Sequence, residues 1–256
     1  MQLTVLGASP VRPNPGRACT GYLLEHQGRR LLLDCGSGVL AQLLKRCSLR
    51  DLDAIFISHA HPDHCLDLVN IRQSLAYAPS ERRSGALRVL ASPATIEVLQ
   101  RLGEAFGAGD LNYWEGYLDL EAVTPEVGVT LHGLSLTFSW TQHYIPCLAV
   151  RARAADGRSL VFGADGGPQP ELVRFAAGAS LLVLEATLLD EETPYAGELR
   201  GHLSAAEAAR LAQEASVERL LLTHYFAERA DRILAEAQAA ASIPVALAQE
   251  GASHVC

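Results

Sequence analysis

Short apolar runs recur along the first half of the chain, separated by polar and glycine-containing segments. Runs of this length and spacing predict β-strands at residues 1–7, 20–25, 30–34, 54–57 and 88–91. Between them, helix-like periodicity covers residues 39–47 and 64–77, and Ser92-Pro93 is a typical start for a third helix. This alternation of strands and helices predicts an α/β fold.

The second half of the chain begins with strand-like runs and then returns to alternation. The runs lie at residues 117–123, 134–141, 148–153 and 159–163, and Asp156-Gly157 is a hairpin signal between the last two. Helices are predicted at 170–177, 204–215 and 227–241, and strands at 180–185, 219–223 and 244–248. Ser204 and Glu207 have the spacing of a capping box. Two sheets, each covered by helices on its outer face, satisfy this order.

Residues 103–116 interrupt the pattern. The segment is rich in glycine and aromatic residues and has no clear period. We interpret it as a loop near a substrate entrance, with a plain surface connection as the alternative.

The composition is that of one globular domain. The chain has 256 residues, of which 49% are hydrophobic, and its glycines and prolines fall in short clusters instead of a linker. We therefore expect a single domain over residues 1–256. The sequence has no basic leader and no apolar run of the roughly 20 residues that a membrane span needs. We expect a cytoplasmic protein with no membrane partner and with its six scattered cysteines reduced.

The charge of the chain bears on its partners. Its formal net charge is −8, and no stripe of lysine and arginine runs along it. An acidic chain of this kind is poorly suited to gripping a long phosphate backbone. We therefore expect no extended nucleic acid among its partners.

A cluster of metal-binding side chains directly follows the strand predicted at residues 54–57. The cluster contains His59, His61, Asp63 and His64. Neutral imidazoles suit zinc and similar metals, and an interleaved carboxylate can bind a second ion or hold a water. Three histidines and an aspartate this close together, at a strand end, predict a metal site.

Four more polar residues lie just beyond predicted strands or in loops, where a sheet presents ligands. These residues are His143, Asp165, His202 and His224. The remaining histidines fit no such pattern, and we assign them to the surface. They are His26, His132 and His254.

The chain resembles the metallo-β-lactamase-fold hydrolases over nearly its whole length. The residues that carry the resemblance are His59-x-His61-x-Asp63-His64, followed in order by His143, Asp165 and His224. The segment Asp34-Cys35-Gly36-Ser37-Gly38 is similar to the first motif of the superfamily. In that motif an aspartate orients the metal-binding loop without binding the metal itself. The resemblance implies a four-layer αβ/βα sandwich with the site at the edge where the loops of the two sheets meet.

By this resemblance, the protein is a hydrolase with two divalent metal ions. The implied ligands are His59, His61 and His143 for one ion, Asp63, His64 and His224 for the other, and Asp165 as a bridge beside a water or hydroxide. Zinc is the preferred metal and manganese the alternative. His61 stands where diiron flavoprotein-like members carry a glutamate, which favours hydrolysis over dioxygen reduction.

Two further motifs are similar to those of the ribonuclease Z-like phosphodiesterase branch. The segment 184–187, Leu-Glu-Ala-Thr, resembles its HEAT motif, and the segment 201–205, Gly-His-Leu-Ser-Ala, resembles its HST motif. The resemblance implies His202 as the proton donor to the leaving oxygen, with Glu185 as the partner that orients it. It also implies that Asp63 assists the attacking water and that the protein is a homodimer.

The sequence departs from that branch in three places. Leu184 replaces the first histidine of the HEAT pattern, and Leu203 interrupts the HST triplet. The span between His143 and Asp165 is too short for the long tRNA-gripping arm of true ribonuclease Z. The chain therefore fits a short-form phosphodiesterase that acts on a small phosphodiester, such as a cyclic nucleotide or a short oligonucleotide.

Three other interpretations stay open at this point. A lactonase, thioesterase or β-lactamase-like hydrolase could use the same scaffold, although no lysine or arginine obviously supplies the fixed cation that a carboxylate substrate usually needs. Processing of tRNA 3′ ends is the second alternative. A metal-binding protein without catalysis is the third, although purely structural zinc sites tend to be closed and rich in cysteine.

Overall fold

The computed structural model describes residues 1–195 and 200–256, which form two seven-stranded sheets. The strands are β1 (Gln2–Gly7), β2 (Gly21–His26), β3 (Arg29–Leu33), β4 (Ala54–Ile57), β5 (Leu87–Ala91), β6 (Leu118–Ala122), β7 (Val129–Leu131), β8 (Leu134–Trp140), β9 (Leu148–Ala154), β10 (Ser159–Phe162), β11 (Leu181–Glu185), β12 (Leu220–Thr223), β13 (Val245–Leu247) and β14 (Ser253–Val255). The first sheet has the order β14-β1-β2-β3-β4-β5-β6. The second has the order β13-β12-β11-β10-β9-β8-β7.

Helices cover the outer face of each sheet. The α-helices of the described residues are α1 (Val39–Leu43), α2 (Pro62–Cys65), α3 (Asp67–Tyr77), α4 (Pro93–Phe106), α5 (Pro170–Ala176), α6 (Ala205–Glu214) and α7 (Ala230–Ala240). Short 3-10 helices lie at Leu49–Asp51, Pro79–Glu81, Asp190–Tyr195 and Ala227–Arg229. The capping box predicted for α6 is present, since Ser204 Oγ accepts from Glu207 N and the Glu207 side chain accepts from Ser204 N.

Three apolar layers hold these elements together. The inner core lies between the sheets and draws side chains from both, for example Tyr22 against Phe162, with ring centroids 5.3 Å apart. One outer core packs α1, α3 and α4 on the first sheet, and another packs α5, α6 and α7 on the second. The predicted four-layer αβ/βα sandwich is confirmed.

The burial of each strand explains its sequence pattern. All four residues of β4 are buried, because Ala54 and Phe56 pack in the inner core and Ile55 and Ile57 pack in the outer core, so both faces of the strand are covered. Such a strand is apolar throughout, which is why residues 54–57 form a continuous apolar run. In β8 the buried residues Leu134, Leu136 and Phe138 alternate with the exposed Ser135 and Thr137, because only one face of that strand meets the core.

Some predicted elements differ from the observed ones. The helix predicted at 64–77 is divided into α2 and α3, because Cys35 N donates to His64 O and Asp67 N donates to Cys35 O, which diverts these groups from the helical ladder. The helix predicted at 39–47 ends at Leu43. The strands β7 and β14, of three residues each, were not predicted from the sequence.

The interpretation of residues 103–116 as an entrance loop is wrong in its start, since α4 continues to Phe106. Two of its aromatic side chains, Tyr113 and Trp114, are also buried in the outer core, and the indole of Trp114 donates to Leu99 O at 2.9 Å. The Arg72 guanidinium lies 4.4 Å from the centre of the Tyr113 ring and donates to Tyr113 O. These contacts close the outer core of the first sheet instead of framing an opening.

Within the described part of the chain, no helix has both the length and the apolar character that a membrane span requires.

Gly103 lies inside α4 against Trp114, and its replacement by alanine should destabilise the protein. Alanine normally gains about 1 kcal/mol over glycine in a helix, but a Cβ at this position would stand 2.5 Å from Trp114 Nε1. Overpacking in a core costs about 1–3 kcal/mol. We expect Gly103→Ala to lower the free energy of unfolding by a net amount of about 1 kcal/mol in urea titrations. The exposed α4 variant Gln100→Ala is the control, and a more stable Gly103→Ala protein would contradict the packing described here.

Candidate metal centre

The candidate site lies where strands of both sheets end. The loop after β4, including the short helix α2, carries four of the seven predicted ligands, and the other three follow strands of the second sheet. These ligands are His59, His61, Asp63 and His64 after β4, His143 after β8, Asp165 after β10 and His224 after β12. The structure brings all seven together, in groups whose ligand atoms lie within 4.8 Å of one another.

One group contains three imidazoles. His61 Nδ1 lies 3.0 Å from His59 Nε2 and 3.2 Å from His143 Nε2. The side chains of His59 and His143 are fully buried, whereas His61 is half-buried at the rim. Three ring nitrogens this close together can form the donor set of a single borderline metal ion.

A second group contains a carboxylate and two imidazoles. His224 Nε2 lies 3.2 Å from Asp63 Oδ2, and His64 Nε2 lies 3.6 Å from the same oxygen. The backbone N–H of Val11 also donates to Asp63 Oδ2, at 2.7 Å. The loop after β1 therefore helps to fix this carboxylate.

Asp165 faces both groups with one oxygen. Its Oδ2 lies 3.4 Å from the Nε2 atoms of His64 and His224. The same oxygen lies 3.8 Å from His59 Nε2 and 3.9 Å from His143 Nε2. A carboxylate so placed can be shared by two cations, and its negative charge offsets their mutual repulsion.

The donor chemistry of the site fits divalent ions. Burial lowers the pKa of His59 well below its ordinary value, and it also lowers the pKa of His61 and of His143. These imidazoles are therefore neutral, with a lone pair to offer a metal. His64 Nε2 is buried and has no hydrogen-bond partner among the described residues, which is costly unless a ligand satisfies it.

Asp34 orients the loop that carries the first four ligands. Its buried carboxylate accepts from Ser58 N, Ser58 Oγ and His64 Nδ1, each at 2.7 Å. With Nδ1 held in this way, His64 presents Nε2 to the second group. The structure thus gives Asp34 the orienting position that the sequence motif implied, without a place among the ligands.

Polar partners that the sequence did not reveal hold the other imidazoles. His59 Nδ1 lies 3.0 Å from Ser58 Oγ and 3.5 Å from Cys147 Sγ. His143 Nδ1 donates to Gly201 O at 2.7 Å. His224 Nδ1 lies 2.8 Å from Thr187 Oγ1. Thr187 and Gly201 do lie in the HEAT-like and HST-like segments, but neither motif shows which imidazole its residue contacts.

Two residues of the site have an unusual backbone conformation. Asp34 and His224, each directly after a strand, have φ angles of 57° and 56°. A residue other than glycine in this left-handed region costs of order 1–3 kcal/mol. The hydrogen bonds of their side chains and their buried surroundings hold them there.

His202 and Glu185 form a pair beside the ligands. His202 Nδ1 lies 2.8 Å from Glu185 Oε1, which also accepts from Gly166 N at 2.9 Å. Burial disfavours the imidazolium, but the charge of Glu185 and its hydrogen bond outweigh that penalty and raise the pKa of His202 to about 9. Thr187 Oγ1 donates to Glu185 Oε2 and so links this pair to His224.

Arg12 lies in the loop after β1, next to the residue that contacts Asp63. Arg12 directly follows Val11, whose N–H binds Asp63, and its guanidinium lies 5.6 Å from the centre of the Phe226 ring. Phe226 comes two residues after His224. Arg12 is exposed and donates to Pro13 O, and among the described residues its guanidinium makes no hydrogen bond or ion pair with a proposed ligand, so it is not the fixed cation that a carboxylate substrate usually needs.

The chain matches the family model described as "Beta-lactamase superfamily domain" over residues 29–225. It is 31% identical over 227 residues to the probable metallo-hydrolase YhfI of Bacillus subtilis, an alignment that covers 88% of this chain and 86% of the relative. The crystal structure of YhfI, a metallo-beta-lactamase fold protein, superposes with a TM-score of 0.85 at 28% identity and covers 99% of this chain and 98% of YhfI.

Ribonucleases Z are also similar to the chain. The ribonuclease Z of Archaeoglobus fulgidus is 28% identical over 287 residues, which cover 93% of this chain and 92% of the relative. The crystal structure of human tRNase Z, short form, has a TM-score of 0.78 at 21% identity and covers 100% of this chain and 99% of the human one. The human structure shows the shared fold alone.

Replacing Asp34 should weaken metal binding without unfolding the protein. In Asp34→Asn an amide group replaces the carboxylate oxygen that accepts hydrogen bonds from Ser58 Oγ and His64 Nδ1. The hydrogen bond that orients the His64 ring is therefore lost. Loss of such an orienting partner typically costs about 10–100-fold in metal affinity. Competition with a chromogenic chelator measures that loss, and the exposed β6 variant Asp119→Asn should bind metal as the wild type does. Equal affinities for Asp34→Asn and wild type would refute the orienting role.

Proposed function

The chain belongs to the beta-lactamase superfamily and is a hydrolase, and we propose that it is a two-metal phosphodiesterase for small phosphodiesters such as cyclic nucleotides or short oligonucleotides. The single observation that carries this proposal is the pair of His202 and Glu185 at the edge of the ligand cluster. A hydrolase that only activates water does not need a second, separately oriented imidazole. An enzyme that hydrolyses a diester with a poor leaving group does need one, because the departing oxygen must be protonated.

We propose that His59, His61 and His143 hold one ion, that Asp63, His64 and His224 hold the other, and that Asp165 is shared. Two divalent ions bound there would lower the pKa of a water and stabilise charge on the entering and leaving oxygens. Zinc suits the imidazole-rich donor set best, and manganese is the alternative.

His202 has the position of a proton donor. Its side chain is 19% exposed, whereas Glu185 beneath it is 1% exposed, so the ring reaches the opening while its partner stays fixed. Because His202 Nδ1 is hydrogen-bonded to Glu185, Nε2 is the ring nitrogen that can donate a proton to the leaving oxygen of a substrate. Glu185 in turn keeps the imidazolium charged and oriented, and its own carboxylate is held by Gly166 N and Thr187.

Asp63 completes the proposed chemistry. Its Oδ2 faces His64 and His224, which leaves Oδ1 to orient the attacking water. The N–H of Val11 fixes the carboxylate in this direction. Asp63 would then orient the attacking water, and His202 would protonate the leaving oxygen.

The short connection between two of the proposed ligands supports a small substrate. Strands β9 and β10 lie between His143 and Asp165 and are joined by a tight turn at Asp156-Gly157. The alignment with the ribonuclease Z of A. fulgidus spans 287 positions although it covers 93% of this 256-residue chain, so the relative carries additional segments. Together with the net charge of −8, this disfavours a tRNA substrate and supports a small diester.

The homodimer that the resemblance implied, the single domain over residues 1–256 and the cytoplasmic location stay predictions. Sedimentation equilibrium of the purified protein tests the first of them.

A substrate panel tests the proposed function. Purified protein, with its metal content counted and then restored with zinc or manganese, is offered bis(p-nitrophenyl) phosphate, adenosine 3′,5′-cyclic phosphate, a lactone, a β-lactam and a tRNA precursor. We expect hydrolysis of the two diesters with about two metal ions per chain. Opening of the lactone or lactam without diester hydrolysis would assign the protein to the alternative hydrolase classes. Cleavage of the tRNA precursor in preference to the small diesters would restore the tRNA-processing alternative.

Removal of His202 should separate catalysis from metal binding. We expect His202→Ala to keep its metal content and to lose about 10²–10⁴-fold in kcat on a cyclic nucleotide, as is typical for the loss of a general acid. The loss should be much smaller on bis(p-nitrophenyl) phosphate, because nitrophenolate departs without protonation. The partly buried variant His26→Ala, in β2, is the control. Equal losses on both substrates would speak against His202 as the donor.

Removal of a ligand should abolish metal binding and activity together. His61→Ala leaves His59 and His143 without their common neighbour, and Asp165→Ala removes the oxygen that faces both groups. We expect both variants to contain less metal than the wild type by mass spectrometry and to be inactive on diesters. A variant that retains two ions and full activity would remove that residue from the proposed ligand set.

A further inference from the structure

An apolar recess opens directly beside the metal ligands. It has a volume of about 460 Å³ and is lined by Trp140, Thr141, His143, Tyr144, Ile145 and Pro146. Two of these residues are large aromatics that face solvent, since Tyr144 is 61% exposed and Trp140 is 41% exposed. Exposed aromatic side chains in a recess with one metal ligand in its wall are suited to binding a substrate.

The ring of Tyr144 packs on the protein on one side although it is 61% exposed. It packs on the backbone of Gly201 so closely that a Cβ on Gly201 would lie 2.8 Å from the ring carbon Cε2. The Tyr144 ring centroid lies 5.3 Å from that of His143 and 5.7 Å from that of His202. An aromatic surface supported by Gly201 and His143 therefore stands next to the candidate proton donor, and such support lowers the entropic cost of binding.

We propose that Tyr144, flanked by Trp140, is the platform on which the nucleobase of a nucleoside phosphodiester stacks. This inference rests on the proposed function and narrows its substrate class from small diesters in general to those with a planar heteroaromatic ring. Bases stack on aromatic side chains without strong sequence preference because every base presents a π-face. The recess supplies such a surface and apolar walls, which suits a base better than an aliphatic alcohol.

The position of Tyr144 also assigns the base to one part of the substrate. His202 donates to the leaving oxygen, and Tyr144 is in edge contact with the His202 ring. A group that stacks on Tyr144 therefore belongs to the alcohol that leaves. For a cyclic nucleotide, the sugar carries both the leaving oxygen and the base, so one nucleoside can reach His202 and the platform together.

Paired substrates that differ only in the base test this proposal. The pair is adenosine 3′,5′-cyclic phosphate and the 3′,5′-cyclic phosphate of methyl riboside, which has the same phosphate ring and no base. We expect Tyr144→Leu to lower kcat/KM for the nucleotide by about 5- to 100-fold and to change that for the methyl riboside by less than about twofold, as expected for the loss of one stacking contact. Tyr144→Phe should retain wild-type discrimination because it keeps the ring.

Binding supplies a readout that does not depend on turnover. Of the two tryptophans, Trp114 is 5% exposed under α4, whereas Trp140 lines the recess, so quenching of tryptophan fluorescence reports occupancy of the platform. Adenosine 5′-monophosphate should quench the wild-type signal, and ribose 5-phosphate should not. Tyr144→Leu should bind the nucleotide more weakly by a similar factor, and the exposed control Tyr77→Leu, at the end of α3, should bind as the wild type does.

The outcomes separate this inference from the proposed function. If the wild type hydrolyses both cyclic phosphates and Tyr144→Leu lowers both equally, the platform is wrong and the diesterase stands. If no diester is hydrolysed but nucleotide binding depends on Tyr144, base stacking on Tyr144 is supported and the proposed phosphodiesterase reaction is wrong. Equal binding of the two monophosphates to the wild type, or a change of oligomeric mass in Tyr144→Leu with unaltered discrimination, would overturn the platform.

Discussion

One carboxylate oxygen sets the geometry of this protein's site. Asp165 Oδ2 lies between 3.4 and 3.9 Å from ring nitrogens of four histidines that come from two different sheets. With the carboxylate 3% exposed, that negative charge is out of reach of water and needs a compensating positive charge. The two divalent ions proposed for the site would supply that compensation, with the imidazoles completing their ligand sets. The orienting bonds from Asp34, Gly201 and Thr187 then serve one purpose, which is to direct each imidazole toward Asp165.

The sandwich makes this meeting point possible because strands of both sheets end at the same edge. The inner core fixes the two sheets against each other, and Tyr22 of β2 is hydrogen-bonded through its hydroxyl to Thr223 at the end of β12, next to His224. The loop after β1 also crosses to the other half, since Asn14 Nδ2 donates to Tyr225 O at 3.0 Å. Proposed ligands that are distant in the sequence are thus held by packing between the sheets, and His202 and the aromatic recess lie at the same edge.

Much of this arrangement could be predicted from the sequence, for physical reasons. Fully buried strands such as β4 are continuous apolar runs, and the ligands come directly after them, so the runs located both the fold and the site. What could not be predicted depends on contacts between distant segments. The division at Leu66 follows from bonds to Cys35, the burial of Trp114 follows from its fit against Gly103, and the partner of His143 is a backbone carbonyl that no side-chain pattern reveals. The contact of Val11 N with Asp63 was missed for the same reason, since only the folded chain brings the loop after β1 to that carboxylate.

Anomalous X-ray diffraction from crystals grown with zinc or manganese tests the central claim most directly. The account predicts two strong peaks about 3.5–4 Å apart, one on either side of Asp165 Oδ2. The peak beside His59, His61 and His143 and the peak beside Asp63, His64 and His224 should both be within bonding distance of Asp165. A single peak at saturating metal, or two peaks of which neither contacts Asp165, would contradict the account.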